Sequence, residues 1–542
     1  MRARQNDGVE QFMNRRASLM SFLTFFSASA VGGAIPWQPD RGDGTYRNPI
    51  LHADYSDPDA IRVGDDFWMV SSSFSHVPGL PILHSTDLVN WRLVAHALPR
   101  LQPLDTFATP QHGKGVWAPS LRHHDGKFWI YYPDPDFGLY LVTATDPRGP
   151  WSEPVLVRPG RGLIDPCPLW DDDGSLYLIH GWAKSRAGIA NILSLLKLTA
   201  DGTSVSEDLG VLIDGHARPG YTTLEGPKLY RRDGWYYIFA PAGGVKTGWQ
   251  SVFRSRSLRG PYEDRIVLAQ GRTPINGPHQ GALIDLADGT SWFLHFQDKH
   301  AYGRVVHLQP VAWRDGWPVP GSDPEGDGLG EPVLVHPKPI ASPASALAAP
   351  PSSDDFAGPR LGPQWQWQAN PRDDWHSLTE RPGWLRLFAQ PIVADNLYTA
   401  PHLLLQKFPA PEFVVTTQLD FNPAHPGDSA GLLVFGYDYA WIGLREGQLV
   451  QVAVRHAHAQ PSAITHRAPL PPTGPVFLRV SVNNDAICRF AFSSDGKFYS
   501  PLGEPFKASV GHWVGAKVGL FAAGHPVTLA DFRHFIVQPS PP

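Results

Sequence analysis

Cysteine, charge, helical periodicity and long apolar runs are all scarce in this chain of 542 residues. Its two cysteines, Cys167 and Cys488, lie far apart, so we expect no disulfide framework. Charged residues are 18% of the chain and the net charge is −5, which argues against a nucleic-acid partner. Beyond the N-terminus no stretch is long and apolar enough to cross a membrane, so we expect no membrane partner.

Aromatic and turn-forming residues are abundant instead. The chain has 19 Trp, 55 Pro and 52 Gly, a composition typical of short strands joined by many loops. The length is too great for one ordinary core, so we expect two domains. Together these features predict an all-β protein with at least two folding units.

Residues 1–34 resemble an export signal rather than part of the fold. Arg15 and Arg16 precede an apolar run and then small residues, in "MNRRASLMSFLTFFSASAVGGA". The signal is of the twin-arginine or the general secretory type, and a disordered tail is the alternative. Export would place the protein in the periplasm or outside the cell.

An internal repeat occupies residues 35–335. Five segments each place a polar turn, usually Asp-Gly, before an aromatic-rich strand, and a short apolar strand precedes every turn. Their spacing is roughly 50 to 60 residues, near the size of a four-stranded propeller blade. The repeat predicts a five-bladed β-propeller whose Asp-Gly pairs are hairpin turns. The segments are "GDDFWMVSSS", "DGKFWIYYPD", "DDGSLYLIHG", "RDGWYYIFAP" and "ADGTSWFLHF".

A second domain follows a linker. Residues 336–352 are rich in Pro, Ala and Ser and poor in charge, which is typical of a linker. Residues 353–542 contain alternating strands such as "FVVTTQLDF" and "FLRVSV". They predict a β-sandwich of the jelly-roll, concanavalin A-like kind.

One position in each blade is expected to face the central axis. Counting back about eight residues from each turn gives Asp57, Trp117, Asp165, Glu225 and, slightly further out, His279. The first strand of every propeller blade lines the axis, so these side chains should converge. Three carboxylates at one point repel one another, which disfavours a purely structural role. The alternative is that each acid caps a local turn. Separated carboxylates in distinct environments are what acid–base hydrolysis of a glycoside requires.

These motifs resemble glycoside hydrolase family 43 over the whole propeller, and the sandwich resembles the C-terminal domain of some members. The family's β-xylosidase-type opening is followed by its other motifs in the expected order. They are "RNPILHADYSDPDAIRVGDDFWMVSSSFSHVPGLPILHS", "GVWAPSLRHHDGKFWIYY", "LIDPCPLWDDDG", "LEGPKLYRRDGWYYIF" and "GRVVHLQPVAWRDGWPVPG".

The resemblance implies roles for individual residues. Asp57 resembles the general base, Glu225 the general acid and Asp165 the modulator that tunes and orients the acid. The family is inverting, which requires base and acid carboxyls about 6.5 to 9.5 Å apart. Arg304 resembles the arginine that contacts the terminal sugar, with a structural ion pair as the alternative.

Other residues are candidates for sugar contacts or for calcium binding, and each has a structural alternative. Phe74 and Trp117 are candidates for walls of the sugar pocket, or core residues. No cofactor is required for the chemistry. By resemblance, His279 could bind a Ca²⁺ ion at the propeller axis mostly through waters, although Ca²⁺ prefers oxygen ligands. Asp355 and Asp531 could hold a structural Ca²⁺, or be ordinary turn or edge acids.

The expected substrate is a xylo-oligosaccharide, cleaved to release xylose from the non-reducing end of β-1,4-linked chains. An arabino-oligosaccharide is the alternative, because α-L-arabinofuranose offers similar groups to such a pocket. A retaining, invertase-like hydrolase and a non-catalytic sugar-binding propeller are the competing classes. The sandwich could bind sugar itself or shape the rim of the pocket. The oligomeric state stays open.

Overall fold

The computed structural model describes residues 35–341, 347–468 and 474–540. The predicted export segment, residues 1–34, lies outside the described residues. Within them, no helix is long and apolar enough to span a membrane.

The first half of the described chain is a ring of five antiparallel sheets, each of four strands paired in chain order. The strands are β1 (Thr45–Arg47); blade one, β2 (Asp59–Val63), β3 (Asp66–Val70), β4 (Gly79–Ser85) and β5 (Arg92–Leu98); blade two, β6 (Ser120–His124), β7 (Lys127–Asp134), β8 (Gly138–Ala144) and β9 (Val155–Pro159); blade three, β10 (Leu163–Trp170), β11 (Leu176–Trp182), β12 (Ile192–Leu198) and β13 (Val205–Asp214); blade four, β14 (Lys228–Arg232), β15 (Trp235–Ala242), β16 (Trp249–Ser255) and β17 (Glu263–Leu268); blade five, β18 (His279–Asp285), β19 (Ser291–Asp298), β20 (Arg304–Arg314) and β21 (Trp317–Pro320); and β22 (Val335–Pro337). One short helix, α1 (Lys184–Ala187), and 3₁₀ turns at Thr106–Ala108, Gly215–Ala217 and His300–Tyr302 lie between strands.

The predicted Asp-Gly hairpins join the first and second strands of their blades. Asp125 and Gly126 link β6 to β7 with φ of 48° and 69°, and Asp233 and Gly234 link β14 to β15 with φ of 50° and 72°. Positive φ at both central residues is the type I′ geometry, whose twist matches that of the flanking strands. The turn chemistry therefore places the hairpins where the repeat predicted them.

The second half is a sandwich of two antiparallel sheets. Its strands are β23 (Gln366–Trp367), β24 (His376–Ser377), β25 (Leu385–Phe388), β26 (Leu404–Lys407), β27 (Phe413–Phe421), β28 (Ser429–Phe435), β29 (Tyr439–Arg445), β30 (Gln448–Arg455), β31 (Ser462–Ala468), β32 (Val476–Val482), β33 (Ile487–Ser493), β34 (Ser500–Pro501), β35 (Phe506–Lys507), β36 (Lys517–Ala523) and β37 (Leu529–Pro539), with 3₁₀ turns at Val393–Asp395 and Leu397–Thr399. One sheet has the order β23-β26-β36-β28-β29-β30-β31 and the other β24-β25-β37-β27-β32-β33-β34, with β35 pairing β33. The predicted propeller and sandwich are both confirmed.

Burial follows the packing of the two sheets. Every second residue of β32 is fully buried, as expected for a strand with one face on the core. In contrast, β28 is buried at all seven positions, because its second face packs in another apolar cluster that includes Leu397 and Tyr398. The sheet that contains β28 is therefore covered on both faces there.

The segment before blade one is anchored on blade five. β1 pairs with β22, and the hydroxyl of Tyr46 donates to the carbonyl of Leu308 at 2.8 Å. The side chain of Asn48 donates to the carbonyls of Leu308 and Val333, both at 2.8 Å. Residues 336 and 337, assigned to the linker from composition, belong to β22, because strand pairing with β1 overrides their loop-like composition.

The sandwich is hydrogen-bonded directly to the propeller. Val77 and Trp367 exchange backbone hydrogen bonds of 3.0 and 2.6 Å, as in a short antiparallel ladder. The side chain of Asn370 accepts from the backbone of Leu101 at 2.8 Å and donates to its carbonyl at 2.9 Å. These contacts hold one edge of the sandwich against blade one and the loop that follows it.

Candidate active site

One pocket collects side chains from all five blades and from the sandwich. Its volume, counted together with the solvent space at its mouth, is about 480 Å³. The lining residues are Asp57, Phe74, Trp117, Ala118, Ile164, Asp165, Glu225, Val245, Gln280, Arg304 and Trp513. Every one of the three acids predicted to converge is among them.

The acids sit at matching points of three blades. Asp57 lies two residues before β2, Glu225 three residues before β14, and Asp165 within β10 where its pairing with β11 is interrupted. Trp117 lies three residues before β6 and reaches the same pocket. The placement arises because each blade begins its first strand at the same end of the propeller.

Two of the acids adopt an unusual backbone conformation. Asp57 has φ of 53° and Asp165 has φ of 55°. Positive φ is uncommon for residues other than glycine and costs of order 1 to 3 kcal/mol where it is imposed, and such residues cluster at functional sites. In both cases the following proline has no N–H, so the break in the ladder leaves no donor unpaired.

Asp57 is enclosed by hydrogen-bond donors. Its Oδ2 accepts from the hydroxyls of Ser56 and Ser72, both at 2.6 Å. The guanidinium of Arg304 lies 3.1 Å from Oδ1 and 3.3 Å from Oδ2, and also donates to Ser56 at 2.7 Å. The two hydroxyls and the guanidinium therefore fix the orientation of the carboxylate, and the positive charge of Arg304 balances its negative charge.

Asp165 is in a different electrostatic environment. It is 4% exposed, and its Oδ2 accepts from the backbone N–H of Gly226 at 2.8 Å. Burial first, and then repulsion from Glu225, raise the pKa of Asp165 to about 8, against the lowering effect of the Gly226 hydrogen bond. At neutral pH the Asp165–Glu225 pair therefore retains a proton.

Glu225 is the most open of the three acids. Its side chain is 25% exposed, whereas that of Asp57 is 8% exposed. Its Oε1 lies 3.1 Å from Nε2 of His279, whose side chain is only 1% exposed. His279 therefore contacts the carboxyl of Glu225 directly, which the sequence did not predict.

Aromatic rings form the walls of the pocket. The rings of Phe74 and Trp117 meet edge to face with centroids 6.3 Å apart. The ring of Trp513, from the sandwich, has its centroid 6.0 Å from that of Trp117. The guanidinium of Arg304 lies 5.8 Å from the centroid of the Trp513 ring. The sandwich therefore supplies part of the pocket wall, in agreement with the alternative that it shapes the rim.

Several lining residues escaped sequence reasoning. Trp513 stands in a different domain from the acids, and no local pattern links it to them. Gln280 follows the predicted His279 directly and has φ of 35°, but only the folded chain brings its side chain to the pocket. Ile164 precedes Asp165, and Val245 lies in a glycine-rich loop of blade four. Their apolar character resembled that of ordinary core residues.

The residues predicted to hold calcium have other partners. Within residues 35–341, 347–468 and 474–540, no group of three or more His, Cys, Asp or Glu side chains could hold a metal ion. Asp531 accepts from Arg381 and, through both oxygens, from Arg386, all at 2.8 to 2.9 Å. Asp355 accepts the N–H of Ala357 at 3.1 Å. These contacts match the alternative of turn and edge acids, and the pairing of Asp355 with Asp531 around an ion stays a prediction.

His279 offers little to a calcium ion. Its Nε2 contacts Glu225, and its buried Nδ1 has no hydrogen-bond partner among the described residues. One imidazole nitrogen is a poor ligand for Ca²⁺, which takes six to eight oxygens. The protein atoms at this point do not form a calcium site by themselves, so no catalytic step is assigned to such an ion.

A second cavity lies elsewhere, between the segment before blade one, the linker and the sandwich. Trp37, His96 and Lys407 line it together with several prolines, and none of the described residues that line it is acidic. It lacks the carboxyl groups for acid–base chemistry.

The sequence profile of the Glycosyl hydrolases family 43 matches residues 46–318, which span all five blades. A second profile, the Beta xylosidase C-terminal Concanavalin A-like domain, matches residues 353–538. The chain belongs to glycoside hydrolase family 43. The three acids in one pocket thus lie on the catalytic domain of a glycoside hydrolase.

Relatives of this family 43 protein match it over nearly their whole length. It is 33% identical to a beta-xylosidase from Formosa agariphila, over 89% of this chain and 88% of the relative. It is 32% identical to a non-reducing end alpha-L-arabinofuranosidase from Bacteroides ovatus, over 91% and 94%. The crystal structure of a xylan beta-1,4-xylosidase from Bacillus halodurans matches with a TM-score of 0.79 at 26% identity, over 91% of this chain and 99% of that one.

Proposed function

We propose that the protein is an exo-acting, inverting glycoside hydrolase that releases xylose from the non-reducing end of β-1,4-xylo-oligosaccharides. The observation that carries this proposal is the convergence of Asp57, Asp165 and Glu225 in one pocket lined by Arg304 and aromatic rings. The relatives named as β-xylosidases support the choice of sugar.

The environments of the acids support a division of labour. Asp57, held by serine hydroxyls and Arg304, accepts a proton from water as that water attacks the anomeric carbon. Glu225, the acid most open to the pocket, gives its proton to the glycosidic oxygen as the bond to the leaving sugar breaks. The product has inverted anomeric configuration; Asp57 then releases its proton to solvent, and solvent returns a proton to Glu225.

Asp165 tunes and orients the general acid, Glu225, and does not itself contact the leaving group. Its pKa is raised by burial and by Glu225, so the pair keeps one proton at the pH where hydrolysis occurs. Its hydrogen bond from Gly226, the residue after Glu225, also holds the acid's backbone in place. No cofactor is needed for these steps.

The walls of the pocket support exo action. Phe74, Trp117 and Trp513 line a volume of about 480 Å³ around the acids. Rings in that arrangement can pack against the apolar face of a single terminal sugar. The guanidinium of Arg304 can donate hydrogen bonds to the hydroxyls of that sugar.

The deciding experiment uses two chromogenic substrates, a β-D-xyloside and an α-L-arabinofuranoside, with the wild type and Asp57→Ala. Activity on the xyloside that vanishes in Asp57→Ala supports the proposal. Proton NMR of the xylose first released from the chromogenic β-D-xyloside then tests inversion, since α-xylose must appear before mutarotation. A β-xylose product contradicts the inverting mechanism.

A second candidate, α-L-arabinofuranosidase, is supported by the relative from Bacteroides ovatus. It would use the same acids and differ only in how the pocket walls fit the five-membered ring. Activity on the arabinofuranoside alone selects it. Sugar binding without hydrolysis of either substrate would favour a non-catalytic sugar-binding propeller.

Export is also a proposal, supported by Arg15, Arg16 and the apolar run that follows them. In a bacterial host, cell fractionation should find the protein outside the cytoplasm. Replacing both arginines by lysine should retain it inside if the twin-arginine route is used, and should have little effect if the general secretory route is used.

A further inference from the structure

The carboxylate of Asp54 joins the propeller to the sandwich beside the pocket. Its Oδ1 accepts the backbone N–H of Arg304 at 2.9 Å, and its Oδ2 accepts the backbone N–H of Gly515 at 2.9 Å. Asp54 is 3% exposed. Gly515 lies two residues after Trp513, so one side chain contacts the backbones that carry two pocket residues.

We infer that Asp54 is a positioning residue that sets Arg304 and the loop of residues 511–516, here the Trp513 loop, in one arrangement. The sandwich is then part of the sugar pocket and not an independent appendage. This inference rests on the proposed function, because the pocket it orders is the site proposed for the terminal sugar.

The backbones at this contact are too close to shift freely. A Cβ on Gly515 would lie 2.6 Å from the N atom of Gly303, and a Cβ on Gly303 would lie 2.4 Å from the carboxyl carbon of Asp54. The N–H of Ala516 also donates to the carbonyl of Ala301 at 2.7 Å. The Trp513 loop therefore contacts the turn that precedes Arg304 at two neighbouring points, Gly303 and Ala301.

Buried Lys517 and half-buried Lys407 lie close enough to Asp54 for its charge to act on them. Lys407 and Lys517 are register partners on β26 and β36. Burial lowers the pKa of both, that of Lys517 to about 7, and the negative charge of Asp54 opposes the lowering. The carboxylate therefore has cationic neighbours inside the interface, and losing its charge will affect stability as well as position.

A displacement at Asp54 is expected to reach the sugar pocket through both partners. The guanidinium of Arg304 contacts Asp57 and lies 5.8 Å from the ring of Trp513. In enzymes a displacement of about 1 Å in a positioning contact can lower the rate about 100-fold. The effect should appear mainly in KM, since Arg304 and Trp513 form the pocket, with a smaller decrease in kcat through Asp57.

The test compares Asp54→Asn with a matched variant, Asp428→Asn. Asp428 is also fully buried and accepts four hydrogen bonds, all from sandwich residues: Ala424, His425, His525 and Thr528. On the glycoside that the wild type cleaves, Asp54→Asn should raise KM about tenfold. Asp428→Asn should lower thermal stability and leave KM and kcat within about twofold.

Two further variants separate positioning from general stability. Gly515→Ala should displace the Trp513 loop from the other side and raise KM in the same way, which also serves if Asp54→Asn folds poorly. With Trp513→Ala, Asp54→Asn should be non-additive, because the two changes act through one loop. Unchanged KM in Asp54→Asn or Gly515→Ala, or full additivity with Trp513→Ala, would overturn the inference.

The failure of this inference differs from that of the proposed function. Wild-type protein inactive on both glycosides contradicts the proposed function alone. In that event, xylose binding measured by calorimetry on the wild type and on Asp54→Asn still decides the inference. Weaker binding by about tenfold supports it, and equal binding overturns it.

Discussion

Asp165 in the propeller and Asp531 in the sandwich are nearly equally buried, at 4% and 6% exposed, yet they behave in opposite ways. Burial and the neighbouring Glu225 raise the pKa of Asp165 to about 8. Burial also acts to raise the pKa of Asp531, but hydrogen bonds from Arg386 and Arg381 outweigh it and hold the pKa below its usual value. Burial acts to raise the pKa of both acids, and at Asp531 the two arginine partners reverse its effect.

The kind of partner distinguishes carboxylates that stabilise the fold from carboxylates that take part in the chemistry. Asp531 and its two arginines satisfy one another, as a buried charge must for a fold to tolerate it. Asp59, two residues from Asp57, follows the same rule, since Arg122 lies 2.8 Å and Lys228 3.6 Å from its carboxylate. Asp165 instead faces another acid, an arrangement that lowers stability and retains a proton for chemistry.

The largest expected effect is on Glu225→Gln, which removes the transferable proton and keeps the shape of the side chain. Turnover of xylobiose should fall about 10²- to 10⁴-fold while xylose binding persists. The loss should be smaller on an aryl xyloside with a very acidic phenol, which needs little protonation to leave. Activity on xylobiose within tenfold of the wild type would contradict the assigned role.

Asp165→Asn should change both the pH profile and the stability. The substitution removes the repulsion between the two carboxyls that helps the pair keep its proton, so the alkaline limb of kcat/KM should move to lower pH. The pKa of Asp165 is raised on folding from about 4 to about 8, so the wild type loses stability as pH rises through that window. The variant's melting temperature should therefore exceed that of the wild type more at pH 8 than at pH 5.

The matched control for that variant is Asp531→Asn, at a carboxylate paired with arginines. Its melting temperature should fall below that of the wild type at pH 8, because two guanidinium groups lose their anion. A higher melting temperature in Asp531→Asn, or a lower one in Asp165→Asn, both at pH 8, would contradict the contrast between the two sites.

Trp513→Ala should raise KM about five- to tenfold with little change in kcat. The ring supplies contact area for the bound sugar in the ground state and the transition state alike, and aromatic contacts of this kind contribute about 0.5 to 1.5 kcal/mol beyond burial. Steady-state kinetics on the preferred glycoside measure it. An equal loss in kcat with unchanged KM would place the ring in the chemistry instead.

The smallest effect on activity is expected for Asp531→Ala, whose kinetic constants should equal those of the wild type. Urea unfolding at pH 7 should show a loss of about 1 to 3 kcal/mol, with partly exposed Arg381 contributing least. Asp355→Ala, at a half-buried residue with one local hydrogen bond, should change stability by less than about 0.5 kcal/mol. A chelator that destabilises the wild type but neither variant would instead support a shared calcium ion.

Much of the propeller was predictable because its signals are local. In blades two and four the Asp-Gly pairs form type I′ hairpins through the φ preferences of two adjacent residues, and the apolar strands before them are contiguous in the chain. Once five repeats imply five blades, the equivalent positions of Asp57, Asp165 and Glu225 follow from the symmetry of the fold. Those acids line one pocket in the structure.

The contacts around the acids were not predictable in the same way. An ion pair of Arg304 was one of the alternatives, but its partner, Asp57, could not be named from the sequence. That pairing and the contact of His279 with Glu225 depend on side-chain directions across neighbouring blades. The shift of the domain boundary into β22 likewise depends on pairing with β1, a strand far away in sequence.

The sequence by itself determined the all-β class, the five hairpin repeats, the second β domain and the three acids at equivalent positions. Each of these features depends on short stretches of sequence: turn residues, alternation of apolar and polar residues, or the spacing of the repeats. Only the tertiary structure decided that Trp513 closes the pocket and that Asp54 bonds to Gly515, 461 residues away. The reason is physical: such contacts exist only after two separately encoded domains pack, and the packing depends on complementary surfaces that no local pattern records.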